Sequence, residues 1–131
     1  MSRRNRRGTK IELTLLLPNG GRLEPADIEL IEAIKDCRSI SGAGRLLDIS
    51  YRKTWRMVDA LNRTFSATVV ETFPGRREGG AEVTIFGERL VALFRSMERS
   101  TGAATAAALG EIVASLDKSF VPESDSEARS A

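Results

Sequence analysis

The sequence predicts a mainly α domain with a small β-hairpin wing and a C-terminal helical extension, on three observations. Two stretches of helical apolar spacing meet across a few residues at Asp48 and Ile49. A β-branched run, TVVETF at 68–73, returns through a turn bounded by Pro74, Gly75, Gly79 and Gly80. Alanine then crowds the segment TGAATAAALG that follows Ser100. Alanine is the strongest helix former, β-branched residues suit a pleated strand, and glycine with proline marks a turn.

The elements follow in order. Residues 1–9 are polar and basic and read as a flexible arm. From Lys10 to Leu17 apolar and polar residues alternate, with Ile11, Leu13, Leu15 and Leu17 on one face, which predicts a strand ended by Pro18-Asn19-Gly20-Gly21. A helix begins at Pro25, whose fixed φ suits the first helical position, with Glu24, Asp27 and Glu29 near the positive end of its dipole. Leu30, Ile31, Ile34 and Cys37 form its predicted buried stripe, and Cys37 reads as a small core residue.

The segment SISGAGRLLDISYRKTWRMVDALNRTF comes next. Ser41 is the expected cap of a short helix with Ala43, Leu46 and Leu47 inward. Ser50 is the expected cap of a second, running from Tyr51 to about Phe65. Trp55, Val58, Leu61 and Phe65 are its expected inward stripe, which makes Trp55 a core residue rather than one that stacks on bases. Arg52, Lys53 and Arg56 point elsewhere. Ala43 and Gly44 let the two helices approach closely. Two helices on a short turn, the second basic outside, make a helix-turn-helix, and the hairpin through 74–80 makes its wing. Thr84 hands the chain to a helix with Phe86, Leu90, Leu93, Phe94 and Met97 on one face. Gly102 and Gly110 argue against that helix running on unbroken. The expected organisation is therefore an arm at 1–9, a winged domain at 10–100, a C-terminal helix at 101–118 and a disordered tail at 119–131.

Charge is distributed unevenly beneath a net value of +2. Arg3, Arg4, Arg6, Arg7 and Lys10 share the first ten residues with no acid. Arg38, Arg45, Arg52, Lys53 and Arg56 face only Asp48 across 38–56, which points to a polyanionic partner. The chain has one cysteine and no histidine, so an intrachain disulfide, the common transition-metal sites and the histidine-based catalytic triads are excluded. GAGRLL is too short and wrongly placed for a dinucleotide fingerprint. No nucleophile–base pair stands out, so the expectation is no enzyme and no cofactor. No apolar run is long enough to span a bilayer, and KIELTLLLP fits no signal peptide, so no membrane partner and a cytoplasmic location are expected.

SISGAGRLLDISYRKTWRMVDALN resembles the helix-turn-helix of LysR-type regulators, and more closely the DNA-binding domain of the ModE family of molybdate-responsive regulators. The latter carries S-Y-[KR]-x-x-W at the start of its recognition helix, matched by Ser50, Tyr51, Arg52 and Trp55. It also carries a basic wing followed by L-T-x-x-G-x-x-L, matched by Val83, Thr84, Gly87 and Leu90. The resemblance covers roughly residues 10–100. It implies a DNA-binding transcriptional regulator, acting as a homodimer on double-stranded DNA. Thr72 departs from it, since LysR-type proteins usually have arginine there. The segment after Ser100 is too short for the family's oxyanion-binding region, so a stand-alone DNA-binding member with no molybdate site is expected.

On this reading helix 50–65 enters the major groove. Arg52, Lys53 and Arg56 reach base edges or phosphates, and Tyr51 meets a phosphate or a sugar. Ser39, Ser41 and Ser50 add donors at helix starts. Arg76 and Arg77 at the wing tip either contact phosphates, enter a minor groove, or simply solubilise a turn. Arg3 to Arg7 form either a minor-groove arm or an unstructured terminus. The alanine-rich helix either covers its own core or, preferably, pairs with a second chain. A winged-helix protein-interaction module without specific DNA binding is the alternative function, and it would call for an exposed apolar patch on the recognition helix.

Overall fold

A computed structural model describes residues 8–74 and 80–123. The strand expected over Lys10–Leu17 pairs only at Leu15–Leu16 (β1), opposite Arg22–Leu23 (β2), with Leu15 facing Leu23 and Leu16 facing Arg22. The predicted alternation holds along the stretch: Ile11, Leu13, Leu15 and Leu17 are half-buried, and Glu12, Thr14 and Leu16 are exposed. Its ladder is short because the partner strand is cut off by the next helix, which starts at Pro25. Gly20 closes the intervening turn at φ 90°, a conformation that glycine reaches without steric penalty.

Helix α1 (Pro25–Cys37) starts as expected, with proline in its first turn. The Glu24 N–H donates to the Asp27 carboxylate at 2.9 Å, and burial pushes the Asp27 pKa up against that hydrogen bond. Ile28, Leu30, Ile31, Ala33 and Ile34 are buried. Cys37 is not the core residue expected of it but is exposed. It occupies the final residue of α1, and Arg38, in the left-handed region at φ 56°, turns the chain aside there, so Ile40 and Ala43 of the next helix fill the core instead.

Helix α2 (Ile40–Leu46) is capped by Ser39, whose hydroxyl accepts from the Gly42 N–H at 2.9 Å. Ser41, the expected cap, lies within the helix, because α2 begins two residues earlier than a cap there would start it. Leu46 is exposed rather than inward, since Ile40, Ala43 and Gly44 form the buried face. Asp48, at φ 60°, and the Ile49 N–H bond to the Gly44 carbonyl (2.8 Å) make the turn into α3 (Tyr51–Thr64).

Strands β3 (Val70–Phe73) and β4 (Gly80–Val83) form the expected antiparallel hairpin, in register Val70 to Val83 and Phe73 to Gly80. Val70 and Ala81 turn inward while Glu71 and Glu82 face solvent, as a period of two requires. The hairpin is tied to the α1–α2 junction by an antiparallel bridge between Ser39 and Gly80 and by the Ala81 N–H donating to the Arg38 carbonyl at 3.1 Å.

Thr84 caps α4 (Ile85–Ala114), accepting from the Gly87 N–H and donating to the Thr68 carbonyl at 2.6 Å. Gly87 is demanded by proximity: a Cβ there would lie 2.6 Å from the Val69 carbonyl oxygen. The helix runs through Gly102 and Gly110 without the expected interruption. Of its predicted inward residues, Leu90 and Phe94 are buried and Phe86 is half-buried, whereas Leu93 and Met97 are exposed. The buried line is Gly87–Leu90–Phe94; Leu93 lies off it, whereas Met97 continues the line one turn further along the helix and is exposed there. Arg95 bonds Glu32 of α1 and Glu98, both at 2.8 Å, and these carboxylates push its pKa further up. Lys35 and Glu88 add a second link between the two helices at 3.3 Å.

Candidate nucleic-acid interface

The outer face of α3 is set by contacts at both its ends. At the N-terminus Ser50 caps the helix as expected, its hydroxyl accepting from the Lys53 N–H at 3.1 Å. Thr54 is fully buried, and its hydroxyl donates to the Ser50 carbonyl at 2.7 Å, which satisfies the one polar group it brings inside. It lies against α2 at Gly44, where an added Cβ would come within 2.4 Å of the Thr54 Oγ1. Toward the other end, the Asn62 side chain accepts from the N–H groups of Val69 and Val70 (2.9 and 3.1 Å) and donates to the Val70 carbonyl at 2.9 Å. The turn after β1 also meets the end of α3, with Asn19 donating to the Thr64 carbonyl at 2.9 Å.

These contacts place Thr54, Val58 and Leu61 inward. Trp55, expected in the core, stands outside that stripe at 39 % exposure. Thr54 occupies the position against Gly44, and the next residue is carried about 100° round the helix. Tyr51 meets Trp55 edge to face, ring centroids 6.3 Å apart, and both line an open hollow with Arg52, Arg56 and Asp59. The small size of Thr54 beside Gly44 was the sequence signal for this rotation. Asn62 as the clamp on the wing carried no signal, because its partners lie beyond the helix.

The predicted residues separate into groups. Tyr51, Arg52, Lys53 and Arg56 are all exposed on α3, and among the described residues the three basic ones form no ion pair. Arg63 is instead engaged by Asp59 at 3.0 Å. Ser39 and Ser50 are committed as caps, and the Ser39 and Ser41 hydroxyls lie 3.4 Å apart at the start of α2. Arg76 and Arg77 lie outside the described residues, as do residues 1–7 of the basic arm and 124–131 of the expected tail. Among the described residues no group of acidic, cysteine or histidine side chains is placed to hold a metal, and no helix is long and apolar enough to cross a membrane.

Replacing Asn62 with alanine removes the acceptor for two backbone N–H groups and the donor to one carbonyl at the root of the wing. A cost of about 1–3 kcal/mol is expected for leaving such half-buried groups unpaired, read as a lower urea midpoint. Asn62→Asp, which keeps the acceptor, should recover part of it.

No protein-family model matches the chain. Among curated proteins it is 30% identical over 95 residues to the transcriptional regulator ModE of Haemophilus influenzae, covering 72% of this chain and 37% of that protein. It is 33% identical over 115 residues to the molybdenum-pterin-binding protein MopB of Rhodobacter capsulatus, covering 87% of this chain and 38% of that one. MopA of the same organism is 43% identical over 72 residues, 54% of this chain and 27% of its own length. The chain thus spans well under half the length of these relatives. Among solved structures, the CbnR DBD–DNA complex superimposes with a TM-score of 0.53 over 69% of this chain and 99% of that one, at 18% identity, a likeness of fold. With the helix pair and the hairpin in their expected order, the chain belongs to the ModE family, which it matches through a winged helix-turn-helix domain.

Proposed function

We propose that the chain is a DNA-binding transcriptional regulator, acting in the cytoplasm as a homodimer on a roughly two-fold operator, with no enzymatic step. The observation that carries this reading is the exposed face of α3, where Arg52, Lys53 and Arg56 have no ion-pair partner among the described residues on a helix held at both ends. Arginine and lysine left uncompensated on a rigid helix suit phosphates and guanine edges. Dimerisation is supported by the far half of α4, where Ile112 and Val113, followed by Leu116, expose apolar surface that a second chain would cover. Molybdenum binding, which the names of the relatives record, is not part of the proposal.

Fluorescence anisotropy against mixed genomic duplexes at two salt concentrations tests this reading. Binding should fall steeply with salt as condensed counterions are displaced, and Arg76→Ala/Arg77→Ala should weaken it if the wing tip contacts the duplex. Absence of binding at low salt would favour a protein-docking module instead. One observation speaks for that second reading: the exposed Tyr51–Trp55 pair is the apolar patch on the recognition helix that such a module needs.

A further inference from the structure

An exposed indole at the centre of a basic helix face calls for an account of its own. Thr54 against Gly44 and Asn62 against β3 hold α3 in one rotation, so Trp55 has no inward position to take. It is flanked by Tyr51, at 67 % exposure, and shares its hollow with Arg52, Arg56 and the carboxylate of Asp59. Arginine can read guanine, and the Tyr51 hydroxyl and indole N–H are single neutral donors, but the ring surface between them is apolar and has no use for a phosphate. The apolar group that a DNA duplex displays in its major groove is the C5-methyl of thymine.

We propose that the Tyr51–Trp55 edge of α3 determines sequence specificity, with Trp55 packing on a thymine methyl in the major groove next to the bases reached by Arg52 and Arg56. This rests on the DNA-binding reading above. The aromatic pair loses water on docking, and the methyl supplies the apolar surface that replaces it. Specificity then comes from two chemistries on one helix: guanidinium to guanine, and indole to thymine.

Trp55 is the sole tryptophan of the chain, so its fluorescence reports this contact directly. The duplex bound most tightly from a randomised pool would be remade with deoxyuridine in place of each thymidine in turn, which deletes a single methyl group. Binding by the unmodified protein should weaken by about three- to tenfold at one or two positions. Acrylamide quenching of Trp55 should fall on saturation with the thymine-containing duplex. In Trp55→Ala the deoxyuridine penalty should vanish. Equal affinity at every deoxyuridine position overturns the methyl contact, as does an undiminished penalty in Trp55→Ala or an indole equally quenched free and bound. If Trp55→Ala does not fold, the deoxyuridine series and the quenching on the unmodified protein decide alone. Failure to bind any duplex would appear in the pool selection itself and would remove the DNA-binding reading as well. Tight binding without methyl dependence removes this inference and leaves that reading intact.

Discussion

Replacing Arg52 and Arg56 together with alanine should weaken binding to a specific duplex by at least about 30-fold while leaving the fold unchanged. A bidentate arginine contact to guanine is worth about 1–3 kcal/mol, so two such contacts give about 2–6 kcal/mol, or roughly 30-fold to 10⁴-fold. If either arginine contacts phosphate instead, the loss is spread across sequences and the logarithmic salt slope falls by about one for each contact removed. The two modes are therefore distinguished by repeating the titration at several salt concentrations. Both side chains are exposed and form no ion pair among the described residues, so the thermal midpoint should be nearly unchanged. Unaltered affinity in a folded double variant would rule out α3 as the reading helix.

Phe94→Ala should have the largest effect on stability. Phe94 is fully buried and among the largest enclosed side chains of the core. It anchors α4 at the point where Arg95 also bonds Glu32 of α1. Truncating a buried phenylalanine costs about 3–5 kcal/mol, a large part of the roughly 5–15 kcal/mol that holds a domain together. Urea denaturation should show a sharply lowered midpoint. Leu93→Ala is the control, since Leu93 is exposed on the same helix and should lose less than about 1 kcal/mol. Equal losses in the two variants would mean that α4 presents a different face to the core.

The legible parts of the fold share one property. Pro25, Ser50 and Thr84 begin their helices where the sequence predicts, because a cap needs only bonds within one turn or a fixed φ. The hairpin was readable for the same reason, from a β-branched run, a glycine-bounded turn and a returning strand. Among the candidate interface residues, Arg52, Lys53 and Arg56 were legible as an outward basic face. Trp55 was not, because apolar spacing alone allows a stripe through either Thr54 or Trp55. Hydrophobicity favours the indole, and Gly44 decides for the threonine. Ser39 rather than Ser41 is the cap, since α2 starts at Ile40, and the Ser39–Gly80 bridge accompanies that earlier start.

The amino-acid sequence by itself determined the order of the elements, most of their beginnings, the basic face of α3 and the alternation along Lys10–Leu17. Each of these is settled by residues within a few positions of one another. Tertiary structure alone decided the rotation of α3 that exposes Trp55, the exposure of Cys37 and the shortness of β1. It also decided which side of α4 the core receives. The rotation of α3 turns on Gly44 against Thr54 and Asn62 against β3, the seating of α4 on Gly87 against the Val69 carbonyl, and the exposure of Cys37 on the turn at Arg38. Such fits hold between surfaces of neighbouring elements, and their energy appears only once those elements are packed together.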